Sequence, residues 1–407
     1  MRKSLLLLAT LALSLTALLA ASTPRARSSV ASAAPARRGD KLHKKGADRI
    51  PGHYIVVLDE VAAGEHGPAS QAQQMADVLS SAYGGRVHSV YKSALSGYAA
   101  EMTEDEALAL SRDPRVAFVE EDGVMTADTT QSGATWGLDR IDQRDRPLNG
   151  TYVYNWTGSG VRAYIIDTGI RTTHTQFGGR AAVSADFVGD GRNGQDCNGH
   201  GTHVAGTVGG STYGVAKSVL LRAVRVLNCQ GSGSTSGVIS GVDWVTANHV
   251  NPAVANMSLG GGASSALDTA VNNSINSGVT YSIAAGNSAV DACTQSPARV
   301  GAAITVGSTT STDARSSFSN FGTCVDIFAP GSSITSAWAT SDTATNTISG
   351  TSMASPHVCG VTALYLQSHA GSSPATIRNA IVNGSTTGRL TGIGTGSPNR
   401  LLYSLFF

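Results

Sequence analysis

Short apolar runs recur along the chain, and two rhythms organise them. Between His53 and Met125 strand-like and helix-like runs interleave. Tyr54-Ile-Val-Val-Leu58 reads as a strand, and residues 69–83 can form an amphipathic helix. Residues 86–91 and 97–102 look like a strand pair. Thr103-Glu-Asp-Glu106 is a capping box that opens a helix stopped near Pro114, and Val116-Ala-Phe-Val119 is a last strand. The order β-α-β-β-α-β predicts a small α+β, ferredoxin-like domain. From Trp136 onward the rhythm changes. β-Branched runs at 161–166, 219–226, 254–257, 279–283 and 303–306 alternate with helix candidates at 202–208, 236–249 and 265–277. This alternation predicts an α/β unit, a mostly parallel central sheet with helices on both faces. Ligands of such sheets bind beyond the carboxyl ends of the strands.

The chain start follows neither rhythm. Arg2 and Lys3, an apolar stretch at 5–19 and Ala20-Ala-Ser22 give residues 1–22 the form of a secretory signal. The apolar stretch is short for a membrane span and no second one follows, so export is expected rather than anchoring. Residues 23–49, rich in Ala, Ser, Pro and basic residues, predict a disordered spacer. The small polar stretch 127–133 marks a boundary, which divides the rest into a domain at 50–128 and a larger one at 129–407.

Composition narrows the class. Of 407 residues, 41% are hydrophobic and only 14% charged, as in a soluble globular protein. The 47 glycines have no short period, which excludes collagen. A net charge of +1 gives no reason to expect nucleic acid or a membrane surface as partner. All five cysteines (Cys197, Cys229, Cys293, Cys324 and Cys359) follow position 190. The odd count leaves one unpaired, and arithmetic alone does not choose among the pairings of the others.

Four positions carry chemistry. Asp167 closes an apolar strand and precedes Thr168-Gly169; no second D-T-G exists to make an aspartic-protease pair. His200 lies in Asn198-Gly-His-Gly-Thr-His203, which lacks the Glu of H-E-x-x-H, so a general base fits better than a zinc ligand, and His203 reads as structural. Gly189-Asp-Gly-Arg-Asn-Gly194 matches G-x-G-x-x-G by letter, yet no helix follows it. Ser352, in Gly350-Thr-Ser-Met-Ala-Ser-Pro-His357, stands at a helix start, where free N–H groups favour developing negative charge; Pro356 suits a first turn. Asn287 ends Ser282-Ile-Ala-Ala-Gly-Asn287 and could donate to an oxyanion. A serine needs a base to take its proton, and a carboxylate fixes that base's tautomer.

The chain resembles the subtilases, and within them the proteinase K and aqualysin group. The matching stretches are Ile166-Asp-Thr-Gly-Ile170, Gly199-His-Gly-Thr-His-Val-Ala-Gly206, Asn256-Met-Ser-Leu-Gly-Gly261, Ala284-Ala-Gly-Asn287 and Gly350-Thr-Ser-Met-Ala-Ser-Pro-His357. The resemblance implies a secreted serine endopeptidase made as a precursor, with Asp167, His200 and Ser352 as triad and Asn287 as oxyanion donor. It implies that Gly231-Ser232-Gly233 and Ser258-Leu259-Gly260 flank an extended peptide substrate, and that Cys197–Cys229 and Cys293–Cys324 are disulfides. Cys359 then reads as a small buried hydrophobe. Structural calcium is implied at Asp326 with the carbonyls of Gly301 and Ala303, and at Asp139, Asp142 and Gln143 with Asn149 and Thr151. The 50–128 domain resembles the subtilase propeptide, a folding aid and intramolecular inhibitor, with cleavage expected within 127–130. Expected partners are protein and peptide substrates and this propeptide, with no nucleic acid, no membrane after export, and a monomeric state. A catalytically dead relative acting as a binding protein is the alternative, which the complete set of catalytic positions disfavours.

Overall fold

A computed structural model describes residues 41–45, 49–59, 68–123 and 129–407. The expected signal peptide, most of the expected spacer and residues 127–128 of the expected cleavage window lie outside them. The chain divides into two compact units, Met1–Thr126 and Ala127–Phe407.

In the first unit, β1 (Arg49–Leu58), β2 (Arg86–Tyr91), β3 (Gly97–Glu101) and β4 (Val116–Gly123) form an antiparallel sheet in the order β4-β1-β3-β2. Helices α1 (Pro68–Tyr83) and α2 (Glu104–Ser111) complete the predicted ferredoxin-like order. The capping box is formed: Thr103 N–H donates to Glu106 Oε2 at 2.7 Å, and Thr103 Oγ1 accepts from Glu106 N–H at 3.3 Å. Val56, Leu79, Tyr98, Leu110 and Val119 are fully buried in its own core. One expectation fails here. Leu42–His43, assigned to a disordered spacer, is a strand paired in parallel with β4, and Lys45 reaches Glu120 at 2.7 Å. Basic composition suggested disorder, but acidic residues of β4 receive those charges.

The second unit is built on a parallel sheet. Its strands are β5 (Arg162–Asp167), β6 (Ala181–Asp186), β7 (Leu220–Arg225), β8 (Ala253–Met257), β9 (Thr280–Ala284), β10 (Ile304–Thr309) and β11 (Ile327–Pro330). Their spatial order is β11-β10-β9-β8-β5-β7-β6, extended past β11 by the short strands Arg400–Leu401 and Thr386–Thr387. Successive residues of β5 enter different cores, which explains its unbroken apolar run. Ala163 and Ile165 pack with α3 (His200–Gly209) and, later in the chain, α6 (Thr351–Ser368); Tyr164 and Ile166 pack with α4 (Thr235–Asn248) and α5 (Ser265–Asn276). Every residue of α6 from Met353 to Leu366 is buried, as befits a helix in the core of a large unit. A last helix, α7 (Pro374–Gly384), follows a Ser373 cap and buries only Ile377 and Ile381.

Candidate active site

Asp167 is the last residue of β5 and is fully buried. The strand order reverses beside β5, with β7 on one side and β8 on the other, so its carboxyl end opens into the crevice where such sheets bind ligands.

His200 is the first residue of α3. The glycines on either side are required by close packing. A Cβ on Gly199 would lie 2.5 Å from the Trp338 ring, at a φ of +107° that disfavours other residues; one on Gly201 would lie 2.1 Å from the Gly169 carbonyl oxygen. A buried carboxylate that sequence reasoning did not single out, Asp196, fastens this loop. It accepts the N–H groups of Asn198, Gly199 and Thr202 at 2.9 Å each, and the hydroxyls of Thr202 and Thr168 at 2.6 and 2.9 Å. The His200 loop is thereby tied to the residue after Asp167. His200 Nδ1 lies 2.8 Å from Asp167 Oδ1, which also accepts the Thr168 N–H at 2.7 Å. Burial works against the imidazolium, but the charge and hydrogen bond of Asp167, with Asp196 behind, outweigh it and hold His200 above the ordinary histidine range.

Ser352 is the second residue of α6; Gly350 is its cap, so Ser352 is not an N-cap and its hydroxyl is free of that duty. Pro356 lies inside the helix rather than in its first turn. Its position has a consequence. Pro356 has no N–H to give the Ser352 carbonyl four residues back. That carbonyl instead accepts from Ser258 Oγ at 2.7 Å, while Ser352 Oγ donates to the Ser258 carbonyl at 3.1 Å. Ser258 Oγ is held in turn by Asn256 Nδ2 at 2.9 Å, and Asn256 Oδ1 by Ser355 Oγ at 2.8 Å.

Asn287 lies three residues beyond β9. Its Oδ1 accepts both the N–H and the hydroxyl of Thr351, each at 2.8 Å. These two donors fix the amide orientation and turn Nδ2 outward as a donor. Thr351 was not reached from sequence; its only signal was its place before Ser352.

Two clefts meet at Leu259 and Gly260. One of about 500 Å³ is lined by His200, Gly231-Ser232-Gly233 and Ser258 to Gly262. The other, about 160 Å³, is lined by residues 284–288 with Thr351 and Ser352. The expected substrate segments are thus brought to one place with all the expected catalytic residues except Asp167, which lies beneath His200. Among the described residues, no acidic one lines either cleft.

The remaining candidates separate cleanly. Cys197–Cys229 and Cys293–Cys324 are bonded, and Cys359 is buried with its thiol pushed up by burial. His203 is buried, bonded to the Ile334 carbonyl, and pushed by burial down to about 4, so it stays neutral. The G-x-G-x-x-G stretch is a loop whose Asp190 pairs with Arg225 at 2.5 Å. Asp190 also lies beside Cys197 and Cys229, but those sulfurs are bonded to each other. Asp139 and Asp142 are both buried, and among the described residues no Lys or Arg pairs with either. Asp139 accepts the N–H groups of Asn149 and Gly150, and Asp142 Oδ2 that of Val153, but Asp142 Oδ1 is buried with no partner. Burial, opposed by the Val153 hydrogen bond and helped by the charge of Asp139, pushes Asp142 up to about 6. Gln143 is close in sequence but donates to the Asp145 and Pro147 carbonyls, and Asn149 Oδ1 is taken by Thr151. At the expected Asp326 site, Arg378 pairs with the carboxylate and donates to the Ala303 carbonyl at 3.0 Å. Nothing in the local sequence announced it, because Arg378 lies 52 residues further on.

Residues 158–400 match the subtilase family and residues 53–128 the peptidase inhibitor I9 family. The chain is 55% identical to an extracellular serine proteinase of Thermus sp. (strain Rt41A), over 92% of this chain and 94% of that one. It is 54% identical to alkaline serine exoprotease A of Vibrio alginolyticus, over 88% of this chain and 68% of that one. Among solved structures, a cold-adapted subtilisin-like serine proteinase is 59% identical, with a TM-score of 0.66, covering 67% of this chain and 99% of that one. With that identity spread over nearly its whole length and a family match on the unit that carries Asp167, His200 and Ser352, the chain belongs to the subtilase family of serine proteinases, preceded by an I9-type propeptide unit.

Proposed function

We propose that Ser352 is the nucleophile, His200 its general base, Asp167 the carboxylate that orients His200, and Asn287 the oxyanion donor, in a secreted endopeptidase. The observation that carries this reading is the 2.8 Å contact of His200 Nδ1 with buried Asp167. A proton on Nδ1, directed at the carboxylate, leaves Nε2 as the base. In this reading Ser352 Oγ turns from the Ser258 carbonyl, which it meets at 3.1 Å, toward Nε2. The hydroxyl then attacks the peptide carbonyl and passes its proton to His200, which returns it to the leaving amine. Asn287 Nδ2 and the unpaired N–H of Ser352 receive the oxyanion. Water repeats the cycle on the acyl-enzyme. An extended substrate lies between Gly231–Gly233 and Ser258–Gly260, bonded mainly through its backbone, and the small uncharged cleft beside Asn287 takes a large apolar side chain.

Residues 53–128 act as inhibitor and folding aid until Ser352 cleaves within 127–130. Export through residues 1–22 fits relatives named as extracellular, and no helix among the described residues is long and apolar enough to cross a membrane. The test is casein hydrolysis with and without a serine-directed phosphonyl reagent, with cleaved positions and the mature N-terminus read by mass spectrometry. Inhibitor-sensitive cleavage after large apolar residues, and a start near Thr129, are expected. Absence of cleavage would establish a dead relative, and cleavage that survives the reagent would remove Ser352 from the mechanism.

Asn287→Ala is expected to lower kcat by about 10²–10³, the range known for the equivalent loss in subtilisin, with KM nearly unchanged. The Thr351 hydrogen bonds explain why: they position the amide for the transition state rather than for the substrate. A rise in KM alone would reassign Asn287 to substrate binding.

The rate should also report the His200 shift. Because Asp167 raises the imidazole above its ordinary value of 6.5, kcat/KM should rise with pH through a midpoint above 6.5. The sign is fixed: the protonated form, favoured at lower pH, cannot accept the serine proton. A midpoint well below 6.5 contradicts the arrangement.

Calcium is assigned to Asp139 and Asp142, where two buried carboxylates lack a cation and one oxygen lacks any partner. The ion would supply that oxygen with a partner and offset the repulsion between the two groups. Chelation is expected to lower the melting temperature on the order of 5 °C, from about 2.7 kcal/mol at a hundredfold excess over Kd, without changing kcat at low temperature. Asp142→Asn should abolish the chelator's effect, and a chelator effect that persists in that variant would place the ion elsewhere.

A further inference from the structure

The Asp139–Asp142 pair and the Asp326 cradle differ in one respect. The first has a buried carboxylate oxygen without a partner; the second has none to spare. One Asp326 oxygen accepts from Arg378 Nη2, and the other accepts the Thr305 N–H at 2.8 Å. The Ala303 carbonyl accepts from Arg378 Nε at 3.0 Å. Two of the three residues expected to ligate calcium are therefore already engaged by one guanidinium.

The delivery of that guanidinium is also built in. Arg378 sits on α7 directly after Ile377 and one turn before Ile381. Those two residues are the buried face of the helix, at 1% and 0% exposure, so the helix is seated immediately beside the arginine. The acceptors come from two neighbouring strands of the sheet: Ala303 precedes β10 and Asp326 precedes β11. One planar fork therefore joins a helix to the starting ends of two strands, a geometry that a forked donor satisfies and a lysine would not. Calcium takes six to eight oxygens at about 2.3–2.6 Å. It would have to displace the guanidinium from the same atoms, and two cations sharing one carboxylate repel each other.

We propose that Arg378 is the resident cation of the Asp326–Ala303 site in this chain and closes it to divalent metal. The inference is independent of proteolysis, since none of these residues touches the clefts. It also predicts how the two candidate calcium sites divide: chelators act at Asp139–Asp142 and leave the Asp326 site untouched, because its cation is covalently part of the chain.

Calcium binding to the intact protein, counted by equilibrium dialysis with radiolabelled calcium, tests this directly. Asp326→Asn in the otherwise unchanged chain should leave the number of bound ions unchanged. Arg378→Ser should bind one ion more than the parent, and adding Asp326→Asn to it should remove that ion. Loss of an ion from the parent chain on Asp326→Asn would overturn the proposal, since it would mean that calcium displaces Arg378. An unchanged ion count in Arg378→Ser would overturn it as well, because the cradle would then not be a metal site even when open. Should Arg378→Ser fail to fold, Arg378→Gln, which keeps the length and removes the charge, is read by the same count.

Discussion

Ser352→Ala is expected to lower kcat/KM by about 10⁶, the scale of the loss when the subtilisin serine is removed, while leaving the fold intact. The two halves of this expectation have separate causes. Activity collapses because His200 then has no hydroxyl to deprotonate, and Nε2 cannot replace it as a nucleophile. Stability is spared because the helix cap is Gly350 and the Ser352 hydroxyl makes one hydrogen bond, to the Ser258 carbonyl at 3.1 Å. Losing one such bond costs about 1 kcal/mol. The carbonyl of residue 352 still accepts from Ser258 Oγ, so the tie between α6 and the segment after β8 survives the substitution. The variant should also keep residues 53–128 attached, since the cut that frees them would be its own. The measurement is a melting curve beside a peptide-substrate assay. Near-parental activity would remove Ser352 from the reaction, and a melting temperature lowered as far as the activity would mean that the loss is one of folding.

The second large effect is expected of Asp167→Asn, about 10⁴ in kcat/KM near neutral pH. Asp167 Oδ1 accepts from both His200 Nδ1 and Thr168 N–H. An asparagine with its oxygen at the Oδ1 position keeps both donors but puts its NH₂ group at the buried Oδ2 position, which makes no hydrogen bond in the parent; turned over, it sets the NH₂ group against His200 Nδ1 and the Thr168 N–H together. If it donates to Nδ1, the ring proton moves to Nε2, the atom that must be a free base. The missing charge matters as well. Burial lowers the His200 value and Asp167 is the main group raising it, so the residual rate should show its midpoint at lower pH than the parent. A fall of less than tenfold, or an unmoved midpoint, would show that Asp167 does not orient the base.

Much of this was legible because the chemistry sits at the ends of strongly patterned elements. The runs that became β5, β7, β8, β9 and β10 are apolar on both faces, and Asp167 and Asn287 close or follow two of them. The Gly-flanked histidine was legible because close packing leaves no room for a side chain beside it. What escaped is explained by weaker patterning or by distance. The edge strand β6 is half exposed and made of small residues, so it carries little periodic signal. Helix α7 buries only two isoleucines, too few to define a face. Asp196 looked like a loop residue because five hydrogen bonds to one carboxylate leave no mark in composition. The Asp326 site was read from its own neighbourhood, whereas its occupant comes from a helix much later in the chain.

The proline within α6 bears on redesign of the groove. Because Pro356 leaves the Ser352 carbonyl without a helical donor, the wall residue Ser258 is part of the nucleophile's own backbone accounting. A graft that exchanges the 258–264 loop to change specificity cannot treat position 258 as neutral. Any side chain without a hydrogen-bond donor there strands the Ser352 carbonyl, at about 1–3 kcal/mol. Specificity can be rewritten from Leu259 onward, but the first residue of that loop belongs to the nucleophile.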